Sequence, residues 1–210
     1  ERAETSVKGL YSAGDMAAVP HNYMLGAFTY GWFAGTNAAS FVAGREFSAV
    51  DAAQVAAEQA RVYAPLDRET GLPPAQVEYK LRRFVNDYLQ PPKVTRKMEI
   101  GLQRFADIER DLDQMKAHNP HELMRAMETS VIRDCAEMAA RASLYRAESR
   151  WGLYHHRVDH PQRNDADWFC HCHLKKGDDG QMVSFKKPVE PYVIPLDAEE
   201  MQAYDRLRVG

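Results

Sequence analysis

Prolines divide the middle of this chain, and their placement constrains the fold more than any other feature. Pro73-Pro74, Pro91-Pro92 and Pro120 bracket stretches of helical length. Proline is tolerated in the first turn of a helix and excluded from its interior. Between the prolines, apolar residues recur at helical spacing. From Ala75 to Leu89, the residues Val77, Leu81, Phe84, Val85 and Tyr88 share one face. From Met98 to Lys116 the stripe is Ile100, Phe105, Ile108, Leu112 and Met115. From His121 to about Arg150, the expected core face is Leu123, Met124, Met127, Val131, Cys135, Met138, Ala142 and Tyr145. An Ala-rich helix from Asp51 to Tyr63, with Ser48 as N-cap and Asp51 as its capping partner, is expected to stop before Pro65. Short turns between amphipathic helices predict an antiparallel bundle over residues 46–150. The methionines at this spacing read as core filling, and the charges along Met98 to Lys116 as a solvated face.

The first 45 residues have a different character. Gly9 to Ala13 is a short apolar run ending in Gly14-Asp15, which predicts a buried strand opening into a turn. Gly14 has no Cβ and lets another group approach the backbone. Asp15 offers an acceptor-only carboxylate to a ligand's hydroxyls. After a loop, Thr29 to Ala43 reads as a small-residue helix, with Thr29 as N-cap and Gly44 as the C′ residue. Gly31 and Gly35 on one side permit close packing, and the helix N-terminus points free N–H groups at whatever lies above it. An ordinary structural strand-turn-helix fits the same residues.

From Trp151 the chain becomes an extended tail, residues 151–210. The run Trp168 to Leu174 alternates, with Trp168, Cys170, Cys172 and Leu174 on one side and Phe169, His171, His173 and Lys175 on the other. Lys176 to Gly180 is a hairpin turn, Gln181 to Lys186 the return strand, and Asp197 to Arg208 a short terminal helix. His155, His156, His160, Cys170, His171, Cys172 and His173 are rich in metal-ligand types, but neighbours on a strand face opposite ways and no metal-binding spacing is present. No metal site is predicted. Arg146, Arg150, Arg157 and Arg163 suit a phosphate or carboxylate ligand; structural ion pairs joining tail to bundle are the favoured reading.

The balance of 45% hydrophobic and 27% charged residues, with a net charge of −3, excludes a disordered, membrane-spanning or strongly nucleic-acid-seeking chain. Three cysteines without a framework spacing fit a reducing compartment, with cytoplasm the default. The polar opening Glu1-Arg-Ala-Glu-Thr has no secretory character and no initiator Met. It suggests a piece of a longer polypeptide.

Gly9-Leu-Tyr-Ser-Ala-Gly-Asp15, a loop and a Gly-rich helix resemble the last FAD-contacting segment of the fumarate reductase/succinate dehydrogenase flavoproteins, and most of all the adenylylsulfate reductase alpha subunit. His121-Glu-Leu-Met-Arg-Ala-Met127 and Ser143-Leu-Tyr-Arg-Ala-Glu-Ser-Arg-Trp-Gly-Leu-Tyr-His-His-Arg-Val-Asp-His-Pro161 resemble the C-terminal helix and tail of the same family. Asp165-Ala-Asp-Trp168 is similar to its Asp-Glu-Asn-Trp turn, and Phe185-Lys-Lys-Pro188 to the late Phe-Lys-x-Pro of the adenylylsulfate reductase branch.

The resemblance implies a mainly α chain: a C-terminal strand-turn-helix piece of an FAD domain (1–45), an antiparallel helical bundle (46–150) and an extended tail with a small β-hairpin (151–210). It implies FAD contacts from Gly14, Asp15, Leu25, Gly26, Phe28 and Thr29. It implies an FAD-dependent oxidoreductase subunit that is not catalytic alone, because this chain has neither the Gly-x-Gly-x-x-Gly pyrophosphate motif nor the capping domain. An iron–sulfur subunit is the expected partner, since the chain has no cluster-binding cysteine pattern of its own. The fumarate reductase branch carries a substrate-clamping arginine where this chain has Tyr23-Met24-Leu25-Gly26. In the adenylylsulfate reductase branch a histidine in this loop flanks the reaction centre. His21 falls one residue from it and could stabilise an oxyanion or merely cap the loop. A fumarate reductase or succinate dehydrogenase flavoprotein is the alternative enzyme, and a helical interaction module the alternative outside enzymes.

Overall fold

The computed structural model describes residues 3–17, 23–46 and 48–189. The chain divides into two compact units, Glu1–Val55 and Ala56–Gly210.

In the first unit the chain doubles back over residues 3–12. Glu4 and Tyr11 form an isolated antiparallel bridge. The Thr5 N–H donates to the Leu10 carbonyl and the Ser12 N–H to the Ala3 carbonyl, each at 2.9 Å. The expected buried strand over Gly9–Ala13 is therefore a narrow, largely solvated turn-back. Gly9 is the reason. Its φ of +86° turns the chain where a strand would run on, and a Cβ there would lie 2.8 Å from the Phe41 ring. A short 3-10 turn, Gly14–Met16, follows.

Helix α1 spans Met24–Val42. It begins five residues before the expected Thr29, which lies inside the helix. Tyr23 is the N-cap and supplies no side-chain bond. Nothing between Met24 and Thr29 stops a helix from propagating backwards, since no proline interrupts it. The other end matches expectation: the Ala43 N–H bonds to the Ala39 carbonyl, and Gly44 adopts φ +72°. The Tyr11 hydroxyl donates to the Asn37 carbonyl at 3.3 Å, and its ring meets Phe41 edge-on. No residue of α1 is buried.

Helix α2, Ala52–Asp67, is capped by Asp51. Its Oδ1 accepts the N–H of Ala53 at 2.9 Å and of Gln54 at 3.3 Å, so Asp51 replaces Ser48 as the cap. The helix runs through Pro65 instead of stopping before it. Pro65 is buried, and its carbonyl accepts the Ala117 N–H at 2.8 Å. That packing offsets the one ladder bond a proline removes.

In the second unit α3 (Pro74–Leu89), α4 (Thr95–Leu112) and α5 (Pro120–Tyr145) form the bundle. Pro74 and Pro120 occupy first-turn positions. The core joins Leu81, Phe84 and Leu89 of α3 to Met98, Phe105 and Ile108 of α4 and Ala140 of α5. Phe84 and Phe105 pack edge to face with centroids 5.1 Å apart. A smaller cluster of Val77, Met115 and Ala126 closes one end.

Three helix ends differ from the periodicity, both ends of α4 for reasons outside the helix. α4 starts at Thr95 because the Asp159 carboxylate accepts the Thr95 N–H at 2.9 Å. It ends at Leu112 because Met115 pairs with Leu72: the Leu72 N–H donates to the Gln114 carbonyl and the Lys116 N–H to the Leu72 carbonyl, at 2.8 and 2.9 Å. α5 ends at Tyr145, well before Arg150. Its packed face differs in part: Leu123 is buried and Met127 packs on the smaller cluster as expected, but other positions do not follow. Leu123, Ala126, Thr129, Glu137 and Ala140 are buried, whereas Met124 and Val131 are about 60% exposed and Cys135 and Met138 also face solvent. The methionines at those two positions are not core filling.

The tail carries α6 (Asp165–Trp168) and the antiparallel hairpin β1 (Cys170–Lys176) with β2 (Met182–Pro188), in a register that pairs Cys172 with Lys186 and Leu174 with Ser184. Gly180 at φ +78° makes the turn. The terminal helix expected over Asp197 to Arg208 lies outside the described residues.

Candidate functional site

The resemblance places its cofactor contacts in the first unit, and there the structure brings most of the named residues together. Gly14 sits at φ +67°, and a Cβ built on it would lie 3.6 Å from the Ala27 Cβ in the first turn of α1. The turn that carries Asp15 is therefore packed against the start of the helix that carries Leu25, Gly26, Phe28 and Thr29. The Asp15 carboxylate is exposed and has no partner among the described residues. The first intrahelical bond runs from the Ala27 N–H to the Tyr23 carbonyl. The N–H groups of Met24, Leu25 and Gly26 precede it and receive no side-chain cap from Tyr23. Leu25 and Phe28 are 80% and 71% exposed. Thr29 is exposed within the helix and caps nothing. His21 lies outside the described residues.

An exposed acceptor beside a row of amide donors that have no intrahelical partner, with open apolar side chains nearby, suits a ligand that presents hydroxyls at one point and carbonyl or ring nitrogen acceptors at another. No Cβ obstructs its approach: around Gly31 and Gly35 nothing lies within 4 Å. These features fit the ribityl hydroxyls and heterocycle edge of a flavin.

In the second unit, the four arginines form a clamp on the tail. Glu148, fully buried, accepts from Arg146 Nη1 at 2.5 Å, Arg150 Nε at 2.6 Å and Nη2 at 3.0 Å, and the Asn164 N–H at 2.8 Å. Arg146 also donates to the carbonyls of Trp168 and Cys170. Arg150 and Arg163 both reach Asp165 Oδ1. Arg157, 1% exposed, holds Asp159 with Nε and Nη2 and donates through Nη1 to the carbonyls of Ser143 and Arg146. The Arg157 guanidinium holds the Asp159 carboxyl far below its ordinary range, helped by the bonds from Thr95. His155 is buried beside this clamp; burial pushes its pKa down to about 4, and the charges of Lys93, Arg146 and Arg157 push the same way. The structural reading of the four arginines stands.

The histidine and cysteine cluster separates as the strand alternation requires. Cys170, Cys172 and Leu174 share the half-buried side, while His171 faces solvent with its ring 6.1 Å from that of His173. Among the described residues, no group of three or more metal-ligand side chains converges.

The fold and these residues define the C-terminal helical part of a flavoprotein. Residues 78–203 match the family described as fumarate reductase flavoprotein C-term, and the chain belongs to that family. It is 26% identical over 176 residues, covering 80% of this chain and 32% of the other, to an uncharacterized FAD-dependent oxidoreductase of Methanocaldococcus jannaschii. Its fold superposes on adenylylsulfate reductase from the hyperthermophile Archaeoglobus fulgidus with a TM-score of 0.85 and 27% identity, covering 93% of this chain and 34% of that one. With the flavoprotein of E. coli quinol fumarate reductase the TM-score is 0.79 at 20% identity, covering 92% of this chain and 36% of that one, a likeness of fold alone. The chain spans about a third of the length of the relatives it matches. No helix among the described residues is long and apolar enough to cross a membrane.

Proposed function

We propose that this chain is the C-terminal part of an FAD-dependent oxidoreductase flavoprotein of the adenylylsulfate reductase kind. The observation that carries the reading is the likeness to that reductase over 93% of the chain. The flavin, held mainly by polypeptide beyond this chain, supplies electron and hydride transfer. Within this chain Asp15 accepts from its sugar hydroxyls. The α1 N–H groups of Leu25 and Gly26 donate to its polar edge. Gly14, Phe28 and Thr29 complete the wall. The exposed apolar face of α1 packs on an N-terminal FAD domain, with a capping domain above it. His21 flanks the reaction centre, and an iron–sulfur subunit exchanges electrons in the cytoplasm. Alone, the chain is inactive, since nothing in its sequence holds a pyrophosphate.

The test is a visible absorption spectrum of the full-length flavoprotein before and after acid precipitation. Flavin released to the supernatant supports the proposal. Flavin that pellets with the protein moves the reading to the succinate dehydrogenase branch, and no flavin after reconstitution overturns it. Asp15→Ala is expected to lower flavin occupancy without changing the helical content.

A further inference from the structure

We propose that the second unit carries a binding site for a small aliphatic carboxylate, in the groove between the end of α3, the C-terminal part of α5 and the Gly152–Tyr154 turn, with the Lys93 ammonium as its anchor. The groove is open on one side and has a volume of about 480 Å³, within the usual size of small-molecule sites. Its walls are mostly apolar, with Val85 and Leu89 from α3, Ala136, Ala139 and Ala140 from α5 and Leu153 from the turn, and Gln90 and Tyr154 also line it.

Lys93 is fixed at both ends. Its backbone N–H donates to the His156 carbonyl at 2.8 Å, and its carbonyl accepts the Val158 N–H at 2.9 Å. Its Nζ donates to Ser143 Oγ at 2.7 Å. No carboxylate among the described residues pairs with it. In a groove between α3 and α4, by contrast, Lys80 pairs with Asp111, Arg83 with Asp87, and Arg104 and Arg110 with Asp107. Burial and the charge of Arg157 both push the Lys93 ammonium pKa down, so a cation half removed from water lacks the anion that would stabilise it.

The geometry selects the ligand class. The ammonium keeps two unused protons, and the Ser143 hydroxyl, which accepts from Nζ, keeps its own. Together they present donors to both oxygens of one carboxylate. A phosphate dianion requires more cationic donors than this groove offers, whereas an alkyl chain fits between Leu89, Ala139 and Leu153.

The test uses the full-length flavoprotein and three probes: hexanoate, hexanol and hexylamine. Calorimetric titration is expected to show hexanoate binding about tenfold or more tighter than hexanol, with hexylamine weaker still. Acetylation of Lys93, followed by peptide mass spectrometry, is expected to be slowed by hexanoate at the concentrations that saturate the calorimetric signal, and not by hexanol. Lys93→Met should abolish the preference for hexanoate over hexanol, while Lys93→Arg, which keeps the charge, should retain it. Equal binding of hexanoate and hexanol overturns the proposal. So does a preference that survives in Lys93→Met, or a Lys93 that is never acetylated because another part of the polypeptide fills the groove. Flavin content is read on the same samples, so the failure of this site is separable from the failure of the oxidoreductase reading.

Discussion

Glu148→Ala tests whether the tail is held by charge pairing. Glu148 is fully buried and gathers three guanidinium bonds and one backbone N–H, at 2.5 to 3.0 Å. Removing it leaves Arg146 with the carbonyls of Trp168 and Cys170, and Arg150 with Asp165. Breaking a buried pair from one side costs about 3–5 kcal/mol, mostly because the remaining charge stays out of water. The partners left to both arginines put the expected loss near the lower end, about 3 kcal/mol. For a chain of this size each kcal/mol moves the melting temperature by about 2–4 °C. Glu148→Ala should therefore melt about 6–12 °C lower by far-UV circular dichroism, with the urea midpoint falling in parallel. Glu148→Gln keeps the volume but turns an amide toward an arginine, and should fall between parent and Glu148→Ala. A Glu148→Ala protein within about 0.5 kcal/mol of the parent, the range of ordinary surface changes, would refute the reasoning and assign the tail's attachment to its apolar contacts.

Three further outcomes follow from the geometry. His155 titrates at about 4 when folded against 6.5 for an ordinary imidazole, so the unfolded chain takes up its proton first as pH falls. Stability should drop by about 3 kcal/mol between pH 6.5 and 4, and His155→Gln should flatten that part of a urea-midpoint-versus-pH curve. Gly71→Ala would set a Cβ 2.4 Å from the Gln114 carbonyl oxygen and 2.9 Å from the Lys116 Cβ; the forced backbone shift should cost about 1–3 kcal/mol in denaturant titration. Asn119 caps α5 by accepting the Glu122 N–H at 2.9 Å, and Asn119→Ala should cost about 1 kcal/mol in the same assay.

The bundle was legible in the sequence because proline placement and helical spacing are local signals. α3 matches its expected span to within a residue, and Val77, Leu81 and Phe84 are buried as its stripe requires. What local reading missed was decided at a distance. α4 begins where Asp159 reaches it and ends where Leu72 pairs with the chain beyond. α5 is the clearest case. It carries two apolar stripes, and bulk suggested the one with Met124, Val131 and Met138. The helix instead buries Ala126, Thr129 and Ala140, because small residues allow close approach to its neighbours. The same logic appears on α4, where a Cβ at Gly101 would lie 2.8 Å from Leu89. In the first unit, Gly9 carried the missed signal: a glycine heading an apolar run marked a left-handed turn, which the apolar pattern alone concealed.

The tail shows why arginine-rich segments resist reading as either site or scaffold from composition. A stretch that leaves a helix and crosses a bundle without adding many apolar side chains must satisfy its backbone groups by other means. Arg146 and Arg157 do this directly, since their guanidinium groups donate to carbonyls at Ser143, Arg146, Trp168 and Cys170, while carboxylates from residues 148 and 159 neutralise them. Arginine fits this task and lysine does not, because its five donors in a planar fork can serve carbonyls and a carboxylate at once. Lys93 illustrates the contrast from the same neighbourhood. Its backbone pairs with the tail at His156 and Val158, but its side chain, with one bond, to Ser143, and no carboxylate among the described residues, contributes little to that attachment and leaves its charge available to something else. Arg146 and Arg157 are therefore scaffold because carbonyls and carboxylates engage their donors, and the neighbouring Lys93 keeps donors to spare.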